Sequence, residues 1–179
     1  MPPLPSGRAG LCHTILTPGV TPAQQPVFLS AMQAWENCYP GVTTMTFQPR
    51  SGQPGYLHMV VASLGFSGDQ TDSVAYNGGE VTMTISPNAV STFLIAHEMG
   101  HALGSWHEQA RNDRDTYVTI AYGNIASGFS SQFDKASPQG TFGPYDYDSI
   151  MHFGACFFSA CAFCSRPNAS CDTVQVVSP

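Results

Sequence analysis

Residues 97–108, HEMGHALGSWHE, constrain the fold of this chain more than any other segment. His97 and His101 are four positions apart, so on an α-helix they lie on one face, about one turn from each other. Two neutral imidazoles in this arrangement can bind one zinc ion, each nitrogen at about 2.1 Å. On a continuous helix His107 would lie about 9 Å further along the axis than His101, so the helix must end between them. Gly104 allows this, because glycine adopts positive φ without a steric penalty and commonly ends helices.

Glu98 supplies the carboxylate that such a site needs for catalysis. It follows the first histidine and is therefore placed to accept a proton from a metal-activated water. The short pattern HExxH recurs on ordinary surface helices, but here a glycine and a third histidine follow at the required offsets, which is the zinc signature of the metzincin clan of metallopeptidases. The alternative is a capped amphipathic helix whose histidines face solvent. We expect one catalytic zinc ion on His97, His101 and His107, with Glu98 as general base.

The composition excludes several other classes of protein. A length of 179 residues fits one domain with a sizeable core. The net charge of −6, with only six Lys and Arg, argues against nucleic acid, which is bound through clustered cations. No apolar run is long enough to cross a membrane, and no basic amphipathic segment would bind its surface. We expect a monomer whose partners are protein or peptide substrates.

The low charge and the cysteines favour a secreted protein. Charged residues make up 10% of the chain, well below the usual quarter, so surface polarity must come from uncharged side chains. Residues 1–10 lack the apolar core of a signal peptide, so either a leader has been removed or the chain is made without one. An even number of cysteines in an exported chain favours disulfides. The six are Cys12, Cys38, Cys156, Cys161, Cys164 and Cys171. The last four could alternatively bind a second, structural zinc ion.

Hydrophobic periodicity predicts two helices and four strands. The first helix opens at Thr21 and Pro22, an N-cap followed by proline, and runs to about Asn37. The second opens at Ser86 and Pro87, carries the HExxH motif and stops near Gly104. Its apolar residues, expected to pack inward, are Phe93, Leu94 and Met99. The predicted strands cover residues 11–16, 42–47, 56–61 and 81–85, and residues 65–79 form a polar loop.

Around the zinc motif the chain resembles one metzincin family, the astacins. As in that family, a glutamate, Glu108, follows the third histidine. Residues 111–120, RNDRDTYVTI, fit the family pattern, and residues 145–152, YDYDSIMH, are similar to its Met-turn region. The resemblance is close over residues 81–153, weaker over residues 11–50, and lost in the C-terminal segment.

The resemblance implies an α+β fold of the metzincin (zincin) type. This fold has a twisted sheet and two main helices above an active-site cleft, and here its lower lobe would be irregular and held by disulfides. We expect one catalytic domain over residues 1–179, with an upper lobe over about 11–104 and a lower lobe over about 105–179. The resemblance also makes Met151 the Met-turn methionine, which packs below the zinc ligands without binding the metal.

The strand before the active-site helix is the substrate-binding element that the resemblance implies. Such a strand pairs with an extended peptide through backbone hydrogen bonds, while side-chain pockets select the sequence. The residues concerned are Val81, Thr82, Met83, Thr84 and Ile85. The alternative is an ordinary sheet edge with no substrate role.

Two features depart from the family pattern, and a third, the role of Glu108, has two alternative interpretations. A tyrosine normally follows the Met-turn histidine and stabilises the oxyanion; here Phe153 has no oxygen, and losing one such donor typically lowers a rate about 10²–10³-fold. Astacins usually end in a long helix, whereas residues 156–179 have no helical period, so disulfides would hold this part instead. In mature astacins the equivalent of Glu108 contacts the N-terminal ammonium; the alternative is a solvated glutamate.

The sequence therefore predicts a secreted zinc-dependent endopeptidase that hydrolyses extended protein substrates with a metal-activated water and a glutamate general base. One alternative is a zinc-binding pseudo-enzyme that holds peptides with little or no turnover, which Phe153 favours. Another is a structural module in which zinc only stabilises the fold, and this would require a fourth protein ligand.

Overall fold

The computed structural model of the protein describes residues 11–16, 20–37, 45–64, 69–72, 74, 78–135, 143–164 and 170–177. They belong to two compact units, and the division between these falls between Ser105 and Trp106. The expectation of a single catalytic domain over the whole chain stays a prediction. None of the helices within these ranges is long and apolar enough to cross a bilayer.

The first unit contains a five-stranded sheet and two helices. Its elements in chain order are β1 (Leu11–Leu16), α1 (Gln25–Asn37), β2 (Thr46–Pro49), β3 (Tyr56–Val61), β4 (Asp69–Thr71), β5 (Glu80–Ile85) and α2 (Thr92–Ala102). The strands lie in the spatial order β2-β1-β3-β5-β4. All neighbouring strands are parallel except β4, which runs antiparallel to β5.

Alternating apolar residues place the core of this unit on one face of the sheet. In β5, Val81, Met83 and Ile85 are buried, whereas Thr82 and Thr84 are half-buried. This period of two is that of a strand with one covered face, as predicted. The other buried apolar side chains of the sheet and helices include Leu57, Met59, Phe28, Ala31, Ile95 and Met99.

Helix α2 begins later than the sequence predicted. Its N-cap is Ser91, whose Oγ accepts a hydrogen bond from the Leu94 backbone N–H at 3.2 Å. Ser86 instead belongs to a separate turn, in which its carbonyl accepts from the Ala89 N–H at 2.8 Å. The prediction that the helix opens at Ser86 was therefore wrong, because Ser91 can satisfy a free N–H of the first helical turn. Phe93 is also 56% exposed rather than packed inward.

Strand β4 lies inside the segment that was predicted to be a loop. It has three residues, Asp69–Thr71, and no apolar alternation that would reveal it. Its pairing with β5 gives it a strand conformation, which local sequence does not encode. Strand β2 also differs from its prediction, since it covers Thr46–Pro49, and residues 41–44 lie outside the described residues.

The second unit contains little regular structure. Two short strands pair antiparallel, β6 (Val118–Ile120) and β7 (Val174–Val176). Single 3₁₀ turns occur at Glu108–Ala110, Arg114–Thr116, Tyr122–Asn124 and Ser130–Phe133. The core consists largely of aromatic and β-branched side chains: Val118, Ile125, Phe133, Tyr145, Phe153 and Val174.

Two disulfides cross-link the C-terminal segment of this unit. They join Cys156 to Cys164 and Cys161 to Cys171. The prediction of disulfides is confirmed for these four cysteines, and the alternative of a Cys₄ zinc site does not hold, because their sulfurs are bonded to each other. The side chain of Cys12 and the whole of Cys38 lie outside the described residues.

Candidate metal centre

Helix α2 presents two imidazoles on one face. The ring centroids of His97 and His101 are 4.9 Å apart, and the rings are nearly perpendicular, at 89°. The residues around them in the helix, Ala96, Met99 and Ala102, are buried. The two histidines therefore share the face predicted from their spacing, at the margin of a buried helix.

The helix ends in a glycine turn. Gly104 has a φ of +100°. Its N–H donates to the His101 carbonyl at 2.8 Å, and the Ser105 N–H donates to the Gly100 carbonyl at 2.8 Å. This pair of bonds is the Schellman motif, which satisfies the last carbonyls of a helix and turns the chain away from its axis.

Beyond the turn, His107 completes a group of three imidazoles. Each of His97, His101 and His107 offers a ring nitrogen, and these nitrogens all lie within 4.8 Å of one another. Among the described residues no fourth Cys, His, Asp or Glu joins this group. Three imidazoles are a donor set that zinc uses in catalytic sites, whereas closed structural sites use four protein ligands. The residues present therefore fit a catalytic zinc ion.

The environment of His101 prepares it for metal binding. Its Nδ1 lies 2.8 Å from the Ser105 carbonyl oxygen. A carbonyl only accepts, so Nδ1 carries the proton and Nε2 carries the lone pair. Burial, and then the nearby charge of His97, lower the pKa of His101 to about 4. The ring is therefore neutral at physiological pH, the form that a metal requires.

Glu98 is buried, with 4% of its surface exposed. Its Oε2 accepts a hydrogen bond from the hydroxyl of Thr71 at 2.5 Å. Thr71 lies on β4, so it was missed when residues 65–79 were predicted to be a loop. The only sequence signal that could have found it is a threonine in a polar segment, which by itself is too common to be informative.

The predicted substrate strand does not lie at the edge of the sheet. In β5, residues Met83, Thr84 and Ile85 pair with β3 on one side and with β4 on the other. For Met83, Thr84 and Ile85 the assignment to a peptide-pairing strand therefore needs correction, because these pairings occupy the backbone groups that a peptide would need. For Val81 and Thr82, which pair in register only with β3, it stays a prediction. The edge strand next to β5 is β4.

In the second unit, Phe153 packs against the third histidine. It is 5% exposed, and its ring centroid lies 4.2 Å from that of His107. Its backbone N–H donates to Gln109 Oε1 at 3.0 Å. Met151 is also buried, and its carbonyl accepts from the Glu108 N–H at 3.0 Å. Its role as a floor below the zinc ligands stays a prediction.

Glu108 is held by neighbours of its own unit. Its Oε1 accepts from Arg111 Nη1 at 2.9 Å and from the Asp146 backbone N–H at 2.9 Å. The alternative of a solvated glutamate does not hold, since 16% of its side chain is exposed. The other alternative involves residues 1–10, which lie outside the described residues.

Comparison with known proteins identifies the class and then the family. Among solved structures the fold is similar to high choriolytic enzyme 1, a hatching enzyme zinc-protease of the medaka Oryzias latipes. The TM-score is 0.79 at 26% identity, covering 94% of this chain and 77% of that one. The fold is that of the metzincin class. The model of the astacin peptidase family matches residues 13–172. The chain therefore belongs to the astacin family.

Curated relatives support the same assignment. Zinc metalloproteinase nas-39 of Caenorhabditis elegans is 35% identical over 161 residues, which are 86% of this chain and 16% of that protein. Astacin-like metalloprotease toxin 5 of Loxosceles gaucho is 32% identical over 146 residues, which are 80% of this chain and 74% of the toxin. The chain spans only 16%, 23% and 35% of the length of three of its nematode relatives.

Proposed function

We propose that this chain is a zinc-dependent endopeptidase that cleaves extended protein or peptide substrates. The observation that carries the proposal is the convergence of three imidazole nitrogens, within 4.8 Å of one another, next in sequence to a buried glutamate. Membership of the astacin family supports it.

One zinc ion would be held by His97, His101 and His107. When bound, zinc supplies a Lewis acid that polarises the scissile carbonyl and lowers the pKa of a water to about 7. The tautomer of His101, fixed by the Ser105 carbonyl, keeps Nε2 available for this role.

Glu98 acts as the general base. One of its carboxylate oxygens accepts a proton from the attacking water as the water oxygen bonds to the carbonyl carbon. When the C–N bond breaks, the same oxygen returns the proton to the leaving amine nitrogen. Because Glu98 is buried, bulk water has little access to its carboxylate. This supports direct proton transfer from the attacking water to Glu98 and from Glu98 to the leaving amine.

The peptide pairs with β4 rather than with β5. Strand β4 lies at the end of the strand order and is bonded to β5 on one side. An extended peptide can add to such an edge through main-chain hydrogen bonds, which tolerate many sequences and so suit an endopeptidase.

The pseudo-enzyme is a second candidate, favoured by one observation. Phe153 offers no hydroxyl and is buried against His107, so the phenolic oxyanion donor of the family is missing at this position. We expect turnover that is slower than with such a donor, by about 10²–10³-fold, and not its absence.

We also propose that the chain is secreted and acts as a monomer. Disulfides persist in oxidising compartments, and the bonds Cys156–Cys164 and Cys161–Cys171 support an extracellular location. The Loxosceles relative bears the name of a toxin, which supports the same location.

A digest of casein by the purified chain tests the proposal. We expect cleavage that stops with a zinc chelator and returns with added zinc. Glu98→Gln should abolish cleavage while the protein still binds one zinc ion per chain. Glu80→Gln, a change of an exposed glutamate in the same unit, should leave the rate unchanged. A zinc-loaded wild-type chain without cleavage would favour the pseudo-enzyme, and substantial turnover in Glu98→Gln would refute the role of Glu98.

A further inference from the structure

Thr71 lies where it can hold the carboxylate of Glu98. Its Oγ1 is 2.5 Å from Glu98 Oε2 and 3.1 Å from the Glu98 carbonyl oxygen. A threonine hydroxyl has one proton to donate, and an ionised carboxylate is a stronger acceptor than a carbonyl. The hydroxyl therefore donates to the carboxylate, across 27 positions of the chain.

The sheet holds Thr71 in place. Its backbone pairs with Met83 of β5. Just beyond it, the Asp72 N–H donates to the Thr82 carbonyl at 3.0 Å, and the Thr82 N–H donates to Asp72 Oδ1 at 3.0 Å. The backbone is thus held at Thr71 and at the residue that follows it, so the hydroxyl acts from a defined position.

We propose that Thr71 is a positioning residue for Glu98. Its hydroxyl holds the carboxylate in the orientation from which the carboxylate takes up and returns a proton. A long side chain such as glutamate otherwise samples several rotamers, and small displacements of a reacting group lower a rate strongly. This inference rests on the proposed function of Glu98 as general base.

Steady-state kinetics of Thr71→Val test the role. This variant keeps the shape of the side chain and removes the hydroxyl. We expect kcat to fall about 10- to 100-fold, the range typical of a lost hydrogen bond to a charged group. KM and the zinc content should stay the same, because neither the metal ligands nor the main chain of β4 is altered. Thr71→Ser should restore kcat to within about threefold of wild type, because it restores the donor.

Thr14→Val is the matched control. Thr14 lies on β1 of the same sheet, and its hydroxyl donates to the Gln48 carbonyl at 3.4 Å. This variant should have the kcat of wild type. If Thr71→Val does not fold, the pair Thr71→Ser and Thr71→Ala answers the same question, since both lack the methyl group and only serine keeps the hydroxyl.

The outcomes separate this inference from the proposed function. An active wild type, an inactive Glu98→Gln and an unchanged kcat in Thr71→Val, or in Thr71→Ala, would overturn the role of Thr71 alone. A fall in kcat that Thr71→Ser fails to reverse would overturn it too, because the effect would not come from the hydroxyl. A zinc-loaded wild type without cleavage would overturn both.

Discussion

The two units are stabilised in different ways. In the first, parallel strands and two helices pair most backbone groups with each other, and apolar side chains such as Met59 and Met83 fill the core. In the second, the described residues form paired strands only at β6 and β7, most other backbone hydrogen bonds lie in turns and loops, and polar side chains add to them.

Two arginines of the second unit illustrate this difference. Arg114 is 5% exposed and donates to the carbonyls of Gln109 and Phe133. Arg111 donates to the carbonyls of Gly143 and Pro144. The carbonyls of Gln109 and Phe133 are buried and must be paired, and a guanidinium with five N–H groups can bond several carbonyls at once. A unit with few strands and helices therefore depends on single polar residues.

The largest expected effect comes from removing such a residue. Arg114→Ala leaves two carbonyls without their donor, and we expect the free energy of unfolding to fall by about 3–5 kcal/mol. Denaturant unfolding measures this. Lys135→Ala is the control. Arg114 and Lys135 both bond the carboxylate of Asp115, at 3.1 Å and 2.6 Å, but the Lys135–Asp115 pair is exposed and should contribute less than about 1 kcal/mol. Equal losses in the two variants would show that buried arginines have no special role here.

Removing one disulfide should weaken the second unit selectively. Cys161→Ser combined with Cys171→Ser opens a closed loop of about ten residues, and we expect a loss of about 2–3 kcal/mol. Hydrogen exchange should show faster exchange in β6 and β7, with β3 and β5 unchanged. Equal acceleration in both sheets would contradict the separate stabilisation of the units.

In the first unit, His101 should make stability depend on pH. The pKa of its ring lies at about 4 in the folded protein, against an ordinary value of 6.5. The unfolded chain therefore binds the proton more readily, so the contribution of His101 is complete above pH 6.5 and is lost as the pH falls to about 4. Without metal, we expect a loss of about 3 kcal/mol over this range. In His101→Gln, the free energy of unfolding should lack this part of its pH dependence. The same pH dependence in both proteins would show that His101 does not cause it.

The smallest effect concerns the start of α2. Ser91→Ala removes the cap of the Leu94 N–H and should lower stability by about 1 kcal/mol, visible as a fall in Tm. Ser91→Asp keeps an acceptor oxygen and should retain the wild-type Tm. No change in Ser91→Ala would mean that solvent or another group satisfies this N–H equally well.

Much of the metal-binding segment could be predicted from local sequence. A spacing of four places His97 and His101 on one helical face in any fold, and Gly104 ends the helix because other residues avoid positive φ. The presence of disulfides followed from the number of cysteines, but not their pairing, since six cysteines allow 15 pairings.

The position of β4 and the contacts of Glu98 could not be predicted in this way. Asp69–Thr71 has no apolar pattern, so only its pairing with β5 makes it a strand. Because of this pairing, the edge strand of the sheet is β4 and not β5. The sequence by itself determined the chemistry of the metal ligands and the family, because both depend on residue types at short, helix-defined spacings. The tertiary structure decided which strand is free to pair and which hydroxyl reaches Glu98, because these contacts join residues far apart in the chain, and no local propensity encodes them.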